Sequence, residues 1–157
     1  MANIVFNIAK GEVNAYVKRV VNNDPANSAL VVVLLKTAEA DGILQDYNTL
    51  GNILAGANTE ADFTNYSRKI LTNTELSLPT VDDLGNRQFS DAPDLTYVSA
   101  GGAVNNAIVK MLICYDSDTT SGKDANLVPL VAIDWVITTD GNDLVAVFGS
   151  AGFFGAL

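Results

Sequence analysis

Between residues 107 and 115 the apolar side chains follow a period of two. Ala107, Val109, Met111, Ile113 and Tyr115 fall on one face of an extended chain, and Ile108, Lys110, Leu112 and Cys114 fall on the other. One face is apolar throughout, as a strand lying against a core requires. Residues 127–138 repeat the pattern, with Trp135 inside it. Between Val136-Ile137 and the apolar residues 144–148 stands Thr139-Asp140-Gly141-Asn142. Asp-Gly between two apolar runs tolerates the positive φ of a tight turn, so the spacing predicts a β-hairpin there.

The preceding residues add shorter elements. Ile4, Ile8, Val13, Tyr16, Val17, Val20 and Val21 recur near i, i+3, i+4 spacing and predict an amphipathic helix that ends at Asn22-Asn23-Asp24-Pro25. Residues 29–35, Ala-Leu-Val-Val-Val-Leu-Leu, are continuously apolar and valine-rich, the mark of a strand buried on both faces. Residues 46–55 read as a short helix with Tyr47, Leu50, Ile53 and Leu54 on one side and Gly56 as its stop. Residues 58–65 read as polar loop. Alternation returns at 66–71, at Leu76 and Leu78, and at Leu95 and Tyr97, around an acidic, turn-rich stretch at 82–93.

These readings give a mainly β domain of α+β class with one or two short helices: an antiparallel β-sandwich or barrel-like fold with an N-terminal helix. A chain of 157 residues fits one domain, since a single core commonly serves about 100–150 residues. Residues 1–24 form its helical segment and 149–157 an apolar tail containing Phe153, Phe154 and Leu157.

Composition narrows the chemistry. Eighteen acidic residues against nine basic ones leave a net charge of −9, which repels phosphate backbones and anionic lipid, so neither nucleic acid nor membrane is an expected partner. The first ten residues lack a basic leader segment, and no apolar run approaches the ~18 residues of a membrane span, so a soluble product made in the host cytoplasm is expected. The single cysteine, Cys114, lies in an apolar strand pattern and reads as a buried, inert thiol.

The chain has no histidine, which removes the serine–histidine and cysteine–histidine nucleophile systems and the usual base near neutral pH. Asp82, Asp83, Asp91 and Asp94 sit in turn-rich sequence and read as solvated loop carboxylates rather than an acid–base pair. The most metal-like segment is 116–124, where Asp116, Asp118 and Asp124 are secondary candidates for a hard cation. It departs from the calcium-loop pattern because Gly122 falls one place late, no glutamate closes it, and Lys123 adds an opposing charge. The expectation is a polar loop, no cofactor and no enzymatic activity.

A family resemblance then enters on specific residues. Asn7-Ile8-Ala9-Lys10, the run from Val31 to Ala38, Tyr47-Asn48-Thr49-Leu50, and the segment from Ile108 through Asp116, a Thr/Ser/Gly/Asp loop and Leu127 to Asp134 resemble, in that order, small structural proteins of tailed-phage virions, of the head-decoration or cement type. Thr139-Asp140-Gly141-Asn142 replaces the family's turn before the final strand, and residues 149–157 extend beyond its pattern.

The resemblance implies a virion location on the capsid surface. It also implies the major capsid protein and other virion proteins as partners, and a homo-oligomer, with a trimer favoured. On that reading Ile4, Phe6, Phe153, Phe154 and Leu157 are the assembly contacts; the alternative is that the same side chains close the chain's own core. A tail or fibre-base component is the second reading. A carbohydrate- or receptor-binding module, using Tyr47, Tyr66, Tyr97 or Trp135 as a stacking platform, is the third.

Overall fold

The structure is a computed structural model that describes residues 3–156. The chain opens with strand β1 (Asn3–Val5), a 3₁₀ turn (Asn7–Ala9) and helix α1 (Val13–Val21). The helix expected from Ile4 onward therefore begins nine residues later. Gly11 at φ +80° interrupts helical geometry, and the backbone N–H of Phe6 donates to Leu130 O at 3.0 Å, extending the β1 pairing. Within α1, Val13, Val17 and Val20 bury the stripe that the 3.6-residue period requires, whereas Ile8 lies outside the helix and is exposed.

Strand β2 (Ala29–Thr37) is buried from Ala29 through Leu35, as its uninterrupted apolar sequence predicts. A short turn of helix, α2 (Asp41–Leu44), precedes α3 (Leu50–Ala55), which is shorter than expected because Thr49 caps it: Thr49 Oγ1 accepts from Asn52 N at 3.1 Å. Short strands follow: β3 (Thr59–Glu60), β4 (Lys69–Leu71), β5 (Thr80–Asp82), β6 (Arg87–Ser90) and β7 (Leu95–Tyr97). The long strands β8 (Ala107–Asp116) and β9 (Val128–Thr138) come next, then β10 (Leu144–Ala146) and β11 (Phe154–Ala156).

The fold is mainly β with short helices, and its strand pairs are antiparallel. The main sheet runs β1-β9-β8-β2-β3, with β4 also on β2; β10-β7 and β11-β6-β5 form two smaller sheets. Because β2 is apolar on both faces, the main sheet is covered on both. Leu30, Val32 and Leu34 meet α1, Leu95, Tyr97, Leu144 and Phe153 on one side; Val31, Val33 and Leu35 meet Phe6, Leu44, Leu50 and Ile53 on the other.

The alternation in β8 slips once. Ile108 packs with Met111, Ile113 and Tyr115, while Val109 packs with Leu112 and Cys114, on either side of an irregular register between Ile108 and Lys110.

The expected hairpin across Asp140-Gly141 is not what the chain forms. β10 leaves β9 and pairs with β7, in the register Leu144↔Tyr97. Gly141 N donates to Ala100 O at 2.8 Å, and Ala100 N donates to Asn142 O at 2.9 Å. The turn is thus fastened to the loop before β8, and it carries the chain from one sheet to another.

Candidate assembly surface

Leu78, Val81, Leu84, Val98, Val145 and Val147 leave apolar surface on or beside the two small sheets, while Ile8, Ile43, Ile70, Val104 and Val136 are exposed elsewhere. In β5 and β6 the register Val81↔Gln88 makes a hairpin whose turn is held by one carboxylate: Asp82 accepts from Gly85 N at 2.9 Å and from Arg87 Nε at 3.0 Å. These contacts hold the Asp82 carboxyl below its ordinary pKa, the Gly85 N–H being the larger cause. Arg87 also lies over the Phe89 ring, 5.1 Å from its centroid. Such a rigid turn presents Leu84 at 96% exposure, with Val81 at 64% and Leu78 at 54% leading up to it. β5 is the outer strand of its sheet, so among the described residues no strand pairs with one side of it.

On the other ribbon Leu95, Tyr97, Leu144 and Ala146 point into the core, and alternation turns Val145 outward, with Val98 and Val147 also exposed. The β5–β6 hairpin is anchored to α1 by polar contacts: Ser90 Oγ donates to Asn14 Oδ1 at 2.6 Å, and Asn14 Nδ2 donates to Gln88 O at 3.3 Å.

The residues expected to make assembly contacts divide differently. Phe6 is entirely buried and Phe153 is 3% exposed, each in a different half of the core, so neither is a surface contact. Ile4 and Phe154 are half-buried and pack against those same halves. The tail closes the chain's own fold because β11 adds to β6 in the register Gly155↔Phe89, and Phe153 N donates to Ser90 O at 3.0 Å. Leu157 lies outside the described residues. The β5–β6 hairpin itself falls partly in the stretch read from sequence as an acidic turn region; the pair Val81 and Phe89 flanking Asp83-Leu84-Gly85-Asn86 is the signal that marks it.

Asp116 and Asp124 line one small cleft, but the three metal candidates do not converge as a ligand group. Asp116 is buried and accepts from Asp118 N at 3.0 Å; Asp118 accepts from Thr120 N at 3.0 Å and Thr120 Oγ1 at 2.6 Å. Asp124 is taken by Arg68, at 2.5 Å from Nη1. Among the described residues no group of three or more acidic or thiol ligands is placed to hold a cation.

The aromatic platforms are also largely occupied. Tyr97 is 1% exposed, and Tyr66 donates to Glu60 Oε1 at 2.9 Å while accepting from Leu34 N at 3.1 Å. Tyr47 is half-buried and donates to Glu39 at 2.8 Å, and Trp135 packs 6.4 Å from Tyr97. Cys114 is buried, and burial pushes its thiol up to about 12. Lys110, at 8% exposure, meets both Asp134 and Asp41; burial opposes its charge, but these two carboxylates prevail and its pKa is raised.

A cleft of about 520 Å³ lies at the base of the hairpin, lined by Glu75, Leu78, Thr80, Phe89, Asp91 and Ser150 among others. Among the described residues no helix is long and apolar enough to cross a membrane. No family model, curated protein or solved structure matches the chain.

Proposed function

We propose that this chain is a structural, non-enzymatic subunit of a phage particle, a decoration protein that binds the capsid surface as a homo-oligomer and stabilises the shell. The observation that carries the reading is the rigid β5–β6 hairpin with Leu84 at its tip. Among the described large apolar side chains Leu84 is the most exposed, and it sits on an element tied to the core rather than on a loose loop. Apolar area removed from water contributes about 25 cal/mol per Å² before the costs of association are deducted. A contact of this size is weak alone. Repeated on every subunit of an oligomer over a symmetric shell, it becomes strong by multivalency. The open edge of β5 adds a second mode, strand addition, in which backbone hydrogen bonds supply register and side chains supply selectivity.

The test uses heads of the encoding phage prepared without this protein. The purified chain is added, and bound copies are counted by sedimentation and located by particle reconstruction. Saturable binding at fixed positions on the head, lost in Leu84→Asp, is expected. Binding absent from heads, or attached only to tails, would overturn the capsid assignment.

A further inference from the structure

Lys110 is the only cation in β8, and residues 111–116 beside it are all buried. In the sheet it stands between Leu35 of β2 and Asp134 of β9, directly opposite both. Asp134 is likewise the only charge in β9. Lys110 Nζ contacts Asp134 Oδ1, and Asp41 at the start of α2 brings its Oδ1 to 2.7 Å from the same nitrogen. The lysine side chain is 10% exposed, whereas the Asp41 and Asp134 side chains it meets are 40% and 35% exposed, so the amine is sheltered and solvent reaches the outer side of the carboxyl groups. Three elements distant in sequence therefore bring two carboxyl groups to one amine.

We propose that Lys110 and Asp134 condense to an intramolecular amide cross-link, with Asp41 as the proton carrier. The resting ammonium passes a proton to Asp134, leaving a free amine beside a neutral carboxylic acid. Its lone pair attacks Asp134 Cγ and the Nζ–Cγ bond forms. Asp41 takes a second proton from the nitrogen and delivers it to the departing hydroxyl. The Cγ–O bond breaks, one water leaves, the remaining oxygen becomes the amide carbonyl, and Asp41 is regenerated as a carboxylate. Ammonium plus carboxylate gives amide plus water, so neither oxidant nor any co-reactant is required.

Condensation of free amine and acid is unfavourable in water, but groups that reach a near-attack geometry act at effective concentrations on the order of 10⁵ M or more. The product would join β8 to β9, the two longest strands, by a bond that a chain with one buried cysteine cannot make through sulfur. It also replaces a partly buried charge pair by a neutral amide, which removes a desolvation cost. This inference does not depend on the particle reading, since the bond forms within one chain.

The experiment is intact-mass measurement of the purified full chain after prolonged incubation, followed by peptide mapping of the unfolded protein. The expected result is a mass lower by one water. Trypsin should fail to cut after Lys110 and should release a branched peptide containing both Lys110 and Asp134. Lys110→Arg and Asp134→Ala should have their full sequence masses. Asp41→Ala should also remain uncondensed, with the near-ultraviolet signal of Trp135 showing that it is folded. Wild-type protein at its full sequence mass, with cleavage after Lys110 and no branched peptide, overturns the proposal without reference to any variant. A water loss that persists in Asp134→Ala overturns it too.

Discussion

Gly102 and Gly141 are closely apposed: a Cβ on Gly141 would lie 3.3 Å from Gly102 Cα, so the neighbouring backbone would have to give by a few tenths of an ångström. Gly141 also has φ +96°, in the left-handed region that side-chain-bearing residues avoid. The close approach accompanies the Gly141 N–Ala100 O and Ala100 N–Asn142 O hydrogen bonds that fasten the 139–142 turn to the 100–102 loop. Gly141→Ala should therefore destabilise the fold by about 1–2 kcal/mol, from φ strain and lost approach together. A urea titration showing an unchanged midpoint would contradict this account.

That turn also shows where sequence reading succeeds and where it stops. Asp140-Gly141 identifies a reversal correctly, because positive φ is a local property. Which strand comes next to which is not local, and β10 selects β7 because Leu144 and Ala146 then join Leu95 and Tyr97 in the core. Residues 29–35 are legible for the opposite reason, since a strand apolar on both sides has only the centre of a sheet to occupy. β5 and β6 are three and four residues long and mostly polar, so no period can develop in them. The 116–124 segment reads as metal-like because nothing nearby in sequence indicates that Arg68 claims Asp124. Sequence leaves Phe153 open between an assembly contact and a core residue because terminal aromatics lack neighbours until β11 is paired with β6.

Arg68 joins Glu60 of β3 to Asp124. Its Nε and Nη2 donate to the two Glu60 oxygens at 2.8 and 2.6 Å, and its Nη1 and Nη2 donate to Asp124 at 2.5 and 3.2 Å. Only a planar guanidinium can serve both carboxylates in this way. Its side chain is 28% exposed, so solvent weakens the network without removing it. Arg68→Ala should cost roughly 2 kcal/mol, between the values for exposed and buried pairs, and Arg68→Lys should recover less than half of that. Chemical denaturation of both variants checks the order; an Arg68→Lys variant as stable as the wild type would remove the bidentate argument.

Glu75 is held by a hydroxyl pair. Thr72 Oγ1 and Thr74 Oγ1 each donate to it at 2.6 Å, and Thr72 N donates at 2.7 Å. The Thr72 hydroxyl is the largest cause of a carboxyl pKa lowered to about 2. Because the folded value lies below the unfolded one, the stabilisation is present above about pH 4.5 and fades as pH falls towards about 2. Its size is reduced by the exposure of the group. The carboxyl resonance of Glu75, followed by NMR, should titrate near the lower value in the wild type and move towards the ordinary carboxylate range in Thr72→Val.

Core and assembly surface are separable by a pair of substitutions. Phe153 is buried, meets Phe148 with ring centroids 6.2 Å apart, and follows Gly152, whose φ is +67° and where a Cβ would strike Ser90 O. Phe153→Ala should destabilise the chain by roughly 3 kcal/mol, at the lower end for a buried phenylalanine because the site is near a chain end and can relax. Leu84 touches little of its own chain. Leu84→Asp should change stability by less than about 0.5 kcal/mol, as exposed substitutions do. The two effects should be opposite in kind: Phe153→Ala lowers the melting temperature while the remaining folded protein still binds undecorated heads, and Leu84→Asp melts as the wild type does but binds heads poorly. If both variants lose binding in proportion to their loss of folded protein, the hairpin is not the contact, and the assembly surface must be sought on the Val98, Val145 and Val147 ribbon instead.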